Sequence, residues 1–155
     1  MPDMERWPMG RLLSTAARLV EHAWNEKLSD VGLTHAGVIA LDVLTVKGPI
    51  TQATLAQIVR VQAQTMGKTL TRLEAHGHIK RERSLSDRRS HVVSITEAGS
   101  AALVEAHELE HQVLSTVAID ADKLRRELKI VVRELAARDS TAVADAIVAA
   151  ADQGH

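Results

Sequence analysis

"RVQAQTMGKTLTRLEAHGHIKRERSLSDRRSHVVSI", residues 60–95, changes its period partway along. Up to Gly77 the apolar residues Met66, Leu70 and Leu73 recur at helical spacing, which leaves Gln64, Thr65, Lys68 and Arg72 on the outer faces. Gly77 is placed to end that helix as its C′ residue. Beyond it, "HIKRER" and "HVVSI" alternate in a period of two, as the strands of a hairpin do, and "SLSDRRS" is left as the tip. A helix followed at once by a hairpin with adjacent arginines at its tip is the unit from which the rest of the chain is read.

Outward from that unit the chain is helical. "QATLAQIV", residues 52–59, turns Leu55, Ile58 and Val59 inward and has Thr51 as its N-cap. "HAGVIALDVLTVK", residues 35–47, is apolar on most of its circumference and should be largely buried; Thr34 caps it and "KGPI" stops it. Residues 11–28 form an amphipathic helix with Leu12, Ala16, Leu19, Ala23 and Trp24 on one stripe, broken at Gly32. Past Gly99 comes a long helix carrying Ala102, Ala106, Leu109, Val113 and Val117. A further one carries Leu124, Leu128, Val131 and Leu135, with an acidic first turn at "DADKL". The tail "STAVADAIVAAADQGH" adds a short helix with frayed last residues. No repeat or low-complexity linker interrupts this order. The expectation is therefore one domain over 1–155, mainly α with a small β-hairpin wing. Residues 34–96 form a winged helix-turn-helix lobe, and 10–30 and 98–150 supply dimerisation helices.

Composition limits what such a chain can do. Apolar residues make up 45% of 155, yet there is no Phe, no Tyr and only two Trp, so the core is built from Leu, Val, Ile and Ala. The absence of cysteine excludes disulfides, thiolate metal sites and thiol-oxidation switches. "MPDMERWPMG" lacks the apolar region of a signal peptide, and no apolar run reaches the roughly 18 residues of a membrane span. A soluble, cytoplasmic protein with no membrane partner is expected. The net charge of −1 conceals an uneven distribution: residues 60–91 hold eight Lys or Arg against three acids, and the remainder holds eleven against seventeen. A basic block in a mildly acidic chain is the footprint of a polyanion site, or else a solvated charged face.

A helix pair followed by a hairpin is suited to double-stranded DNA. The second helix fits the major groove, and Gln64, Thr65 and Lys68 stand near its N-terminus, where base contacts concentrate. Gln62 and Thr69 join this DNA-facing set, Arg72 is placed for a backbone phosphate, and Arg83 stands at the base of the wing tip. The tip lies over the neighbouring minor groove, whose negative potential favours an inserted Arg89. Asp87, two residues earlier, is read as the partner that holds the Arg89 guanidinium extended through a charge-assisted bond. Its alternative role is that of a turn-forming Asp in an ordinary hairpin. Arg88 points to the other side of the tip, toward phosphate or solvent.

"TLAQIVRVQAQTMGKTLTRLEAHGHIKRERSLSDRRSHVVSITEAG", residues 54–99, resembles the MarR family of bacterial transcription regulators. The wing pattern Asp87-x-Arg89, the "SITEAG" that opens the following helix, and "GLT" at 32–34 carry the resemblance, which spans residues 10–138. It implies a homodimer whose first and last helices interlock and whose two winged helices meet a palindromic operator. It also matches Arg89 to the family's minor-groove arginine, and Gln64, Thr65 and Lys68 to its base-facing positions. Family members are often repressors released by a small amphipathic or aromatic effector bound between the lobe and the dimer helices. Here His22, Trp24 and His35 fall near that crevice, with Trp24 alternatively a core or dimer-contact aromatic. The sequence departs from the family pattern at Arg60, where Gly or Asn is common, at Gln62, which replaces a small N-cap, and at Gly67 and Thr69 inside the recognition helix. Gly67 alone costs about 1 kcal/mol of helix propensity.

Two other functions are weighed against this one. An enzyme would need a phosphate loop, a cysteine nucleophile or a carboxylate pair in a cleft, and the sequence offers none, so no catalysis and no cofactor are expected. His107 and His111 in "HELEH" share a helix face, as zinc ligands can. They do not follow the His-Glu-x-x-His order, and a structural or solvated pair without metal is expected. A zinc-responsive regulator would require a third ligand such as His35. The remaining alternative is a protein-interaction dimer that binds no DNA, against which the basic block counts.

Overall fold

Three threonines start three of the helices by the same device. The hydroxyl of Thr34 accepts the amide of Gly37 at 3.1 Å, that of Thr51 accepts Thr54 at 3.1 Å, and that of Thr96 accepts Gly99 at 3.0 Å. Each satisfies an amide that the helix itself leaves unpaired. The computed structural model describes residues 3–87 and 89–138, so Arg88 and the expected tail helix lie outside the described residues.

The elements follow in the order α1 (Met9–Leu28), α2 (His35–Lys47), β1 (Ile50–Thr51), α3 (Gln52–Val59), α4 (Ala63–Ala75), β2 (Ile79–Arg83), β3 (His91–Ile95), α5 (Glu97–Ser115) and α6 (Ala121–Arg138). The protein is mainly α with a small wing, as expected. β2 and β3 pair antiparallel from Ile79 opposite Ile95 to Arg83 opposite His91, and β1 adds a third strand on the far side of β3. The two residues of β1 are too few to show an alternation, so that strand is visible only in the fold.

The core lies within the lobe. α2 buries Val38, Leu41, Val43 and Leu44, α3 buries Leu55 and Ile58, α4 buries Met66, Leu70 and Leu73, and β3 contributes Val93. From the flanking helices, Trp24 and Leu28 of α1 and Ala102, Leu103 and Ala106 of α5 close it. The stripe expected along α1 is only partly internal: Leu19 is 66% exposed and Ala16 is exposed, because the first half of α1 runs beyond the lobe. α6 buries none of its residues.

Gly99 seats α5 on the lobe. A Cβ at this position would stand 2.0 Å from the carbonyl oxygen of His78, so only a glycine permits the approach. That carbonyl accepts the amide of Thr96 at 3.1 Å, and the Thr96 hydroxyl donates to the Gly77 carbonyl at 2.6 Å. The "SITEAG" pattern thus joins α5 to the turn after α4.

Candidate nucleic-acid interface

α4 offers one apolar and one polar face. Met66, Leu70 and Leu73 hold it on the core, and Gln64, Thr65, Lys68 and Arg72 are exposed. Gln62 caps α4 without a side-chain bond to it and is also exposed. Thr69 fits its expected role less well. It is half-buried, and its hydroxyl donates back to the Thr65 carbonyl at 3.2 Å, a bond that satisfies it within the helix. The turn between α3 and α4 holds Arg60 at φ 59°, in the left-handed region where glycine is at ease, in keeping with the departure noted at this position.

The wing is closed by short polar bonds. Ser84 donates its amide to the Ser90 carbonyl at 2.9 Å, and Ser90 donates its own to the Asp87 carbonyl at 3.0 Å. One carboxylate oxygen of Asp87 accepts the backbone amide of Arg89 at 3.0 Å, and the other accepts the Ser90 hydroxyl at 3.1 Å. This corrects the expected guanidinium contact. An Asp two residues before its partner is spaced for the main-chain amide, so Asp87 fixes Arg89 through the backbone and leaves the exposed side chain outside the turn. Arg83, at the end of β2, is exposed on the approach to the tip.

Not all of the basic block faces outward. Arg81 forms an ion pair with Glu74 at 3.1 Å with only 20% of its side chain exposed, and Lys80 pairs with Glu82 at 2.9 Å. The Arg81 bond holds the Glu74 carboxyl below its ordinary value of 4.5. Residue counting along the chain does not reveal these pairings, because Glu74 and Arg81 meet only once α4 turns back into β2.

The three residues assigned to an effector crevice do not come together. Trp24 and His35 meet edge to face at 5.0 Å, while His22 pairs with Glu26 at 3.5 Å on an exposed face of α1. Two residues of helix turn His22 by roughly 200° from Trp24, which separates them. Trp24 is a core residue whose indole nitrogen donates to the Ala106 carbonyl at 3.3 Å. Nδ1 of His35 is buried and has no hydrogen-bond partner.

His107 and His111 also diverge in role. Nε2 of His107 bonds to Asp42 at 2.9 Å, whereas His111 is exposed. Among the described residues, no group of three or more His, Asp or Glu is arranged to hold a metal ion. The Asp42 bond holds His107 above its ordinary 6.5, against the effect of burial. Sequence reasoning passed over Asp42, although a lone carboxylate inside the apolar run "IALDVL" is a signal that it has a partner.

A helix pair with a polar recognition face, a basic-tipped wing beside it and long terminal helices define a winged helix-turn-helix of the transcription-regulator class. The MarR family model matches residues 33–91, and the fold resembles that of MarR crystal structures. It is 28% identical over 107 residues to the multiple antibiotic resistance protein MarR of Escherichia coli K12, across 69% of this chain and 74% of that one. It is also 32% identical over 84 residues to YwoH, an uncharacterised HTH-type transcriptional regulator of Bacillus subtilis, across 54% of this chain. That match spans 61% of YwoH, less than two thirds of its length. A crystal structure of a cysteine-to-serine mutant of E. coli MarR complexed with operator DNA superimposes with a TM-score of 0.62 at 25% identity, over 83% of this chain and 96% of that one.

Proposed function

We propose that the protein is a cytoplasmic regulator that binds a palindromic operator as a homodimer and represses transcription until a small effector releases it. The observation that carries the reading is the exposure of Gln64, Thr65 and Lys68 on one face of α4, beside a wing whose tip presents Arg89. Gln can form paired hydrogen bonds with adenine, Lys can reach guanine or phosphate, and an arginine gains most in a narrow minor groove. Gln62, Arg72 and Arg83 extend the contact surface along the DNA backbone, with Arg88 assigned to phosphate or solvent. The likeness to an operator-bound structure supports the same reading.

An amphipathic or aromatic effector is best supported at Trp24 and His35, where a buried imidazole nitrogen lacks a partner, and not at His22. A zinc-responsive regulator is less well supported, since Asp42 already occupies His107.

The test is a titration of a labelled duplex, enriched from a random pool by the protein itself, at several salt concentrations. With roughly four to six phosphates neutralised per subunit, affinity should fall steeply as salt rises, because each contact releases counterion. Affinity that stays level between low and physiological salt would favour a dimer that binds proteins instead.

A further inference from the structure

Arg81 belongs to the basic block by charge but not by orientation. β2 is an edge strand, and its Arg81 turns toward the helices while Lys80 and Glu82 pair with each other. One guanidinium nitrogen donates to Glu74 Oε1 at 3.1 Å and to Thr71 Oγ1 at 3.2 Å; another donates to Gln52 Oε1 at 3.4 Å. Thr71 and Glu74 are neighbours on α4, and Gln52 is the first residue of α3. A single side chain therefore ties the wing to the recognition helix and to the helix before it.

The rest of the network lies under Gly67. The Thr71 hydroxyl donates to the Gly67 carbonyl at 2.8 Å, and a Cβ on Gly67 would stand 3.4 Å from Nε2 of Gln52. The Gln52 amide thus lies close over the bare backbone of α4 while its oxygen holds Arg81.

Building on the DNA-binding reading above, we propose that Arg81 is a positioning residue that sets the rotation of α4 relative to the wing, and so sets sequence selectivity. The two reading elements must fit adjacent grooves at once. The apolar contacts beneath α4 are non-directional and tolerate a small rotation, whereas a guanidinium fork satisfied by three acceptors does not. A lysine keeps the charge but cannot span acceptors on two helices.

The experiment compares the full-length protein with its Arg81→Lys, Arg81→Gln and Glu74→Ala variants. Each is titrated against the enriched duplex and against a scrambled duplex of equal length, over a range of salt. Arg81→Lys and Glu74→Ala should lower the ratio of the two affinities roughly tenfold, the scale of one lost base-reading pair, and leave the scrambled duplex unaffected. Arg81→Gln should do the same without changing the salt slope. Loss of folded protein would weaken both duplexes together and leave the ratio intact, so the ratio isolates positioning. A ratio retained in Arg81→Lys would overturn the proposal. So would a salt slope reduced by about one in Arg81→Gln with both duplexes weakened equally, the signature of a phosphate contact. Tighter binding of both duplexes by Glu74→Ala would overturn it as well, since simple repulsion would then explain Glu74. If the wild-type protein enriches no sequence and shows no salt dependence, the DNA-binding reading itself fails, and the two failures are distinguishable.

Discussion

At the scale of single residues, Asp87 and Gly99 carry the sharpest expectations. Arg89→Ala should weaken binding to the enriched duplex by roughly 1–3 kcal/mol, the worth of a good specific contact. Asp87→Ala should weaken it too, although a negative charge near DNA is removed, because the Arg89 amide and the Ser90 hydroxyl lose their acceptors. Asp87→Asn separates the two accounts of this residue. An amide oxygen can still accept from the Arg89 backbone, so Asn should bind nearer to wild type than Ala does. Equal loss in Asn and Ala, read from the same titration, would restore the charge-based account. Gly99→Ala tests the seat of α5. A methyl group facing the His78 carbonyl at 2.0 Å forces the helix to shift, so the variant should lose about 3 kcal/mol in denaturant unfolding.

Elements respond to pH through the histidines between them. His107 and Asp42 join α5 to α2, and Glu110 on the next turn of α5 adds to the negative field that His107 meets. The folded His107 titrates above its ordinary 6.5, so its contribution to stability is complete below that pH and is lost as pH rises through the folded value. His78 acts in the opposite sense. Burial, and then its neighbour His76, lower its pKa, so its contribution is present above 6.5 and is lost as pH falls toward the folded value. Relative to wild type, His107→Asn should therefore be more destabilised at pH 6 than at pH 8. The pair is partly exposed, so the difference should stay within about 1 kcal/mol by urea unfolding. The elements were largely legible in the sequence, because Thr34, Thr51 and Thr96 mark starts and apolar spacing marks faces. The links between elements were not. Asp42 in its apolar run signals a partner but does not say which, Glu74 and Arg81 look like ordinary surface charges until the turn brings them together, and Leu19 looks internal because a stripe does not say which body it packs against.

For the whole molecule, the telling surface is the apolar one left exposed among the described residues. Leu13 and Leu19 of α1, Val104 and Leu114 of α5, and Leu124, Val131 and Leu135 of α6 are all exposed. Exposed apolar residues on three helices fit the proposed twofold pairing, which would bury about 2,000 Å² or more. The two copies of α4 would then sit roughly one DNA turn apart. Val131→Glu and Leu135→Glu place charges on that stripe and should convert a dimer into a monomer in sedimentation at micromolar concentration. A monomeric wild-type protein in the same run would rule out the twofold arrangement. The bare face of α6 also has a consequence for abundance. Stability that depends on pairing follows mass action, so the fraction of intact molecules rises with copy number. In the proposed dimer, each newly made chain below the dissociation constant would display an apolar helix to proteases and chaperones. The concentration at which two chains meet would then set a lower limit on the amount of regulator a cell can maintain.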